Sequence, residues 1–417
     1  MQDAIDNFLY CIAAEASLSV HSVIPQQCQI KASGLKSLKP NPIFSKFGKH
    51  SLISRGVFME IGIIGLPYSG KSTIFSTLLK HKETFVGKQS AERGVVTIPD
   101  PRLDRLTEIF KPRKKVAATI EYVKVPGLDS TQAQSQGLPT QFLNNLKNVD
   151  ALLIMVRQFE NEFYPHPLNR IDAAADIEFI NAEFLLSDLM VVENRFEKLS
   201  KLVMKTQDEK DKRELQLINR LKEQLEKERP LRELDFDEKE ALILRGYQFI
   251  TAKPVLYVIN ISEAQIGQSQ EIEKQLQRFL TPNCALTSLS AEIEKEISEL
   301  SPEDAAVFMD DLGIAEPALN KLIRSSHELL GLISFFTVGE DECRSWTIRK
   351  NTIAQKAAGV IHSDLEKGFI RAETVHYDTL IEQNGSLSAC KEKGLLRLEG
   401  KEYIVQDGDI LNIRFNV

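Results

Sequence analysis

At 417 residues the chain is about two to three times the usual single-domain length, so two or three domains are expected. Hydrophobic residues make up 42% and charged residues 27%, a globular balance that excludes a wholly disordered chain. A net charge of -7 argues against a chain-wide grip on nucleic acid, DNA included, and leaves room for a local basic patch alone.

No apolar run approaches the roughly 18 residues that a membrane span needs, so a soluble protein without a membrane partner is expected. The five cysteines, at 11, 28, 284, 343 and 390, are scattered and lack metal-ligand spacing. They read as reduced thiols of a cytoplasmic protein.

In chain order, residues 1–58 come first and differ from the rest. Six Lys/Arg against three Asp/Glu make this segment +3, while the remaining 359 residues carry -10. It is rich in Ser and Lys, shows no helical or strand period, and its apolar patch at 8–14 lacks the basic n-region of a secretory signal. A flexible extension, or translation from an over-extended gene start, is expected.

The apolar stretch 61–64 then reads as a buried strand running into Gly65-Leu66-Pro67-Tyr68-Ser69-Gly70-Lys71-Ser72-Thr73, which fits G-x-x-x-x-G-K-[ST]. Ile74, Phe75, Leu78 and Leu79 continue as a helix. In that context successive backbone N–H groups can wrap a phosphate at a helix N-terminus. Lys71 would reach the β- and γ-phosphates, and the Ser72 hydroxyl would ligate Mg²⁺.

Leu185, Leu189, Val192, Phe196, Leu199 and Val203 recur at spacing 4-3-4-3-4, one seam of a long helix. Ile218, Leu221 and Leu225 continue a seam after a polar break near 206–212, predicting an antiparallel coiled-coil hairpin with solvated, mixed-sign outer faces.

Residues 254–259 form a second buried strand that ends in Asn260-Ile261-Ser262-Glu263, at the carboxyl edge where ligands of such sheets sit. GTPases usually carry N-K-x-D there, and the Asp accepts hydrogen bonds from guanine N1 and N2. With Ile261 for the Lys and Glu263 for the Asp, that guanine-selecting fork is lost.

Beyond 332 the pattern changes to short alternating runs, such as 345–348 and 410–415, with turn signals at Asn384-Gly385 and Asp407-Gly408 and a helix over 352–362 between them. That order suits a compact β-grasp module, and Trp346 reads as part of its core.

The phosphate loop and the N-x-x-E segment, in this order, resemble the YchF subfamily of Obg-like P-loop proteins. Pro99-Asp100-Pro101-Arg102-Leu103-Asp104 resembles its segment after switch I, and Asp176-Ile177-Glu178-Phe179-Ile180-Asn181-Ala182-Glu183 the entry to its helical insertion. Phe336-Thr337-Val338-Gly339, Arg344-Ser345-Trp346-Thr347-Ile348, the run His362 through Ala372 and Tyr403 through Asp409 resemble its C-terminal TGS-type domain. The likeness covers residues 59–417.

The resemblance implies an α/β fold: a P-loop NTPase (Ras-like G domain) over 59–177 and 246–331, an inserted antiparallel coiled-coil hairpin over 178–245, and a TGS-like β-grasp domain over 332–417. It implies a slow nucleotide switch that favours ATP over GTP, uses Mg²⁺, and associates with the ribosome or ribosomal RNA. Gly65, Tyr68, Ser69, Gly70, Lys71, Ser72, Thr73, Asn260, Ile261 and Glu263 would hold the nucleotide, Ser72 the metal, and His166 would take part in hydrolysis.

Two departures bear on the metal. The family's Asp-x-x-Gly switch II begins with an acid that orders Mg²⁺ through water, whereas this chain reads Lys124-Val125-Pro126-Gly127-Leu128. Switch I over 84–93 has no threonine at the expected place. The alternative reading is a nucleotide-holding adaptor with little or no hydrolysis. A basic run of Lys391, Lys393, Arg397 and Lys401 around Gly394 offers phosphate contacts for RNA.

Overall fold

Continuous branched and aliphatic runs build the centre of the first sheet. β1 (Glu60–Gly65), β5 (Ala151–Arg157) and β6 (Val255–Asn260) are buried along almost their whole length, as strands covered on both faces must be. β1 pairs in parallel with β4 (Thr119–Lys124) and β5, β5 with β6, and β6 with β7 (Cys284–Leu289). β2 (Glu92–Thr97) closes the other edge antiparallel to β4, giving the order β2-β4-β1-β5-β6-β7. The structure is a computed structural model, and it describes residues 59–80, 92–125 and 139–416, all within one unit, Ser51–Val417. The expected extension over 1–58, most of switch I and Pro126 through Leu128 of switch II lie outside the described residues.

Strand alternation divides the core in two. Ile61, Ile63, Leu153 and Met155 face Ile74, Phe75 and Leu78 of α1 (Lys71–Lys80), together with Leu319 and Leu322 of the helix Ala318–Leu329. Ile64, Leu152, Ile154 and Val156 face the other way, against Ile177, Ile180 and Phe184 at the start of a 34-residue helix, Ala173–Thr206.

That long helix and the helix Glu209–Glu226 form the inserted arm. Gln207 takes a left-handed φ of 55°, and Asp208 caps the second helix by accepting the Lys210 N–H, so the chain reverses within two residues. Val192, Leu199, Ile218, Leu221 and Leu225 are buried together, with Leu185, Leu189 and Phe196 partly buried beside them. Asp188 ties the arm's base to the first sheet's side by accepting from the Ile250 and Thr251 N–H groups and the Thr251 hydroxyl.

The second sheet has the order β11-β10-β12-β8-β9-β3. Five of its strands are C-terminal: β8 (Leu332–Thr337), β9 (Glu342–Arg349), β10 (Phe369–His376), β11 (Arg397–Glu399) and β12 (Asp409–Phe415). The sixth, β3 (Lys114–Val116), comes from the chain between β2 and β4 and pairs in parallel with β9. Just before it, Leu103 and Leu106 of α2 (Pro101–Phe110) bury against Phe336, Val375 and Ile410. The chain between two strands of the first sheet thus supplies both a helix and a strand to the second.

Asn384-Gly385 does turn the chain, with φ values of 53° and 74°, and the elements it joins are the short helices Tyr377–Glu382 and Leu387–Glu392. The left-handed pair reverses helices as readily as strands, and a Cβ at Gly385 would collide with Ile109 of α2. Trp346 does pack against the sheet's core, stacked on Phe335, and its indole N–H donates to the Thr337 hydroxyl.

Candidate functional site

The carboxyl edge of the first sheet gathers the phosphate loop, the end of β4, the loop after β5 and the end of β6. Gly65 and Gly70 adopt φ values of 147° and 98°, which favour glycine. A Cβ at Gly65 would strike the Met155 carbonyl oxygen, and one at Gly70 the Asn260 amide. Tyr68 also has a positive φ, 60°, and stays exposed.

Asn260 locks the loop. Its amide Nδ2 donates to the Ser69 carbonyl at 3.0 Å, while its Oδ1 accepts the Ala291 N–H at 3.0 Å. One buried side chain thus joins the phosphate loop to the turn after β7. The Ser69 hydroxyl is buried without a partner, and the Ser72 side chain lies exposed in the first turn of α1. Thr73 is half-buried, and its carbonyl accepts from the Ser76 and Thr77 hydroxyls.

Lys71 is folded back on the loop, donating to the carbonyls of Gly65 at 2.9 Å and Leu66 at 2.7 Å. Burial first, and then the positive charge of Lys124, pull its ammonium down to about 8. Lys124 stands at the end of β4 in register with Ile63 of β1. Its Nζ lies 3.0 Å from Glu92 Oε1 and 5.9 Å from the centre of the Phe75 ring.

On the base side, Ile261 is buried, and its N–H donates to the Leu289 carbonyl. Glu263 is exposed at the start of a 3₁₀ turn, Glu263–Gln268, with a capping box between Ser262 and Gln265.

The loop after β5 is fixed by Arg157, which donates to the carbonyls of Phe159 at 2.9 Å and Tyr164 at 2.7 Å. Tyr164 lies against Tyr68 with ring centres 5.3 Å apart. His166 is buried and both ring nitrogens are engaged: Nδ1 accepts the Leu168 N–H at 3.2 Å, and Nε2 faces Asp176 Oδ2 at 2.8 Å. With Nδ1 accepting, Nε2 is the nitrogen that donates to Asp176. Burial pushes the Asp176 carboxyl up, against the opposing pull of His166 and Arg170.

The edge thus brings together Gly65, Tyr68, Ser69, Gly70, Lys71, Ser72, Thr73 and Asn260, with Glu263 three residues beyond Asn260. His166 is placed beneath its own loop. Ala291 was not singled out by the sequence; Ser-Ala directly after the last strand of this sheet is the signal that points to it. Arg157 and Glu92 carried no local signal.

The residues present do not fit a firmly held divalent ion. Among the described residues no group of three or more His, Cys, Asp or Glu could hold a metal. At the place of the metal-ordering acid stands the Lys124 ammonium, and the nearest acid it meets, Glu92, is its own ion partner.

Residues 332–416 match the family model YchF-GTPase_C, described as a protein of unknown function (DUF933), and residues 60–195 match MMR_HSR1, described as 50S ribosome-binding GTPase. The ribosome-binding ATPase YchF of Bacillus subtilis is 39% identical over 371 residues, covering 86% of this chain and 100% of that protein. The chain belongs to the YchF family. The YchF ATPase of Haemophilus ducreyi is 41% identical over 367 residues, and Obg-like ATPase 1 of Caenorhabditis elegans 35% identical over 377 residues, covering 88% of this chain and 95% of that one. The solved YchF GTPase of Schizosaccharomyces pombe matches with a TM-score of 0.74 at 31% identity, over 85% of this chain and 97% of that chain. YchF membership fixes the architecture: a Ras-like P-loop domain, an inserted helical arm and a C-terminal β-grasp module. Among the described residues no helix is long and apolar enough to cross a membrane.

Proposed function

We propose that this chain is a cytoplasmic P-loop ATPase that prefers ATP to GTP and acts as a slow switch on the ribosome. The Asn260 clamp carries the reading, because it holds the phosphate loop and the base-side strand end as one preorganised cradle. The loop N–H groups from Tyr68 through Thr73 would bind the phosphates, with Lys71 leaving its two loop carbonyls for the β- and γ-oxygens.

On the base side, the Asn260 and Ile261 backbone and the Glu263 carboxylate would receive adenine, whose N6 amine donates to an acid. Glu263 is one methylene longer than the Asp of N-K-x-D, so it misplaces the two-point fork for guanine.

Hydrolysis is slow in this reading, since no described side chain near the phosphate loop stands ready as a base. His166 positions the loop after β5 and would reach water only by leaving Asp176 and Leu168. The relatives' names, together with exposed Lys391, Lys393, Arg397 and Lys401 on the β-grasp module, support ribosomal RNA as the partner. Lys393 donates to Gln383 and Arg397 to the Tyr403 hydroxyl, bonds at the surface that phosphate can replace.

Co-sedimentation with ribosomes tests the partner. Binding should be salt-sensitive, with a log-log slope no steeper than about -3 to -4 for four phosphate contacts. Absence from the ribosomal pellet at low salt, with and without a non-hydrolysable ATP analogue, would remove the ribosome from the reading.

A further inference from the structure

The misfit at the metal position has a positive side. Lys124 is not a neutral replacement of an acid; it brings an ammonium with three N–H donors to the carboxyl end of β4, next to the strand that opens into the phosphate loop. Cross-strand pairing places Glu92 of β2 directly opposite Lys124, and the ion pair at 3.0 Å holds the charge in place. The Phe75 ring beneath it, from α1, limits where the ammonium can go. Its side chain is 23% exposed, so the charge is partly desolvated yet reachable from the loop.

We propose that Lys124 does the electrostatic work that a divalent ion does in other P-loop proteins, so that this chain binds nucleoside triphosphate without needing Mg²⁺. The proposal rests on the triphosphate-binding function given above. Two ammonium groups, Lys71 and Lys124, then flank the phosphate chain. Lys71 lies parked on the Gly65 and Leu66 carbonyls, and Lys124 is parked on Glu92. Each gives up that partner for phosphate oxygens. Without an anion the two charges repel, and burial first and then this repulsion weaken the hold of Lys71 on its proton. An incoming triphosphate relieves it. A divalent ion at the same place would add to it.

The test is calorimetric titration of the full chain with ATP, once in excess Mg²⁺ and once in EDTA. The expected dissociation constants agree within about threefold. Lys124→Arg should keep that indifference, because it keeps the charge. Lys124→Asp should bind at least about tenfold more weakly in EDTA than in Mg²⁺, because it removes the ammonium and restores a metal-ordering acid. A wild-type chain whose affinity falls tenfold or more in EDTA overturns the proposal while leaving the phosphate loop as the triphosphate site. No binding in either condition overturns both. Should Lys124→Asp fail to fold, the wild-type ratio and the Arg variant still decide.

Discussion

Asn260 Nδ2 donates to the carbonyl of Ser69 at 3.0 Å across 191 residues of sequence, so the shape of the phosphate loop is set by a strand end far away in the chain. Asn260→Ala leaves the buried Ala291 N–H and the Ser69 carbonyl without that partner. Unfolding in denaturant should show a loss of about 1–3 kcal/mol. ATP affinity should fall by about tenfold or more, since the cradle must then be ordered by the ligand. Unchanged affinity would mean that the loop holds its shape by itself.

The arm depends on one acid. Asp188 is buried and accepts three hydrogen bonds from Ile250 and Thr251, at 3.2, 2.7 and 2.7 Å. Asp188→Ala should destabilise the protein by roughly 2–4 kcal/mol, and hydrogen exchange at Ile250 and Thr251 should accelerate. Exchange equal to wild type would show that packing of Phe249 and Leu231 suffices to seat the arm.

A pH effect follows from His327, buried on the helix Ala318–Leu329 with Nε2 unpartnered. Burial lowers its affinity for a proton to about 4, and Arg102 adds to that, outweighing the opposite pull of Asp407 and Asp100. The unfolded chain, near 6.5, binds this proton first, so stability is present above about pH 6.5 and is lost as pH falls toward 4. Between pH 7 and pH 5 the loss should be about 2 kcal/mol. His327→Gln should flatten that part of the profile. An unchanged slope would place the acid sensitivity in other groups, such as Asp407, which burial pushes up but Arg102 and the Ser334 N–H hold low.

Much of this site was legible because it is local. The phosphate loop lies within nine consecutive residues, and Asn260 and Glu263 follow a strand that is apolar at every position. The seam from Leu185 to Leu225 was equally clear, since helical spacing repeats a signal many times. What escaped is long-range. β3 is three residues long and mostly exposed, so nothing in Lys114–Val116 announces that it pairs with β9. The Asn384-Gly385 turn names a chain reversal but not which elements reverse. Arg157 carries no signal of its own in the sequence, because its task of fixing the next loop depends on carbonyls that only the folded backbone presents.

Base preference is the most direct check on the whole account. Calorimetric titration of the full chain with ATP and with GTP, alongside Lys71→Ala as the loop control, asks whether the phosphate loop and Glu263 form one site. Losing the paired hydrogen bonds to guanine should cost about 1–3 kcal/mol, so ATP should bind roughly tenfold to a hundredfold more tightly, and Lys71→Ala should weaken both nucleotides strongly. GTP binding as tight as ATP or tighter, or ATP binding untouched in a folded Lys71→Ala variant, would contradict it.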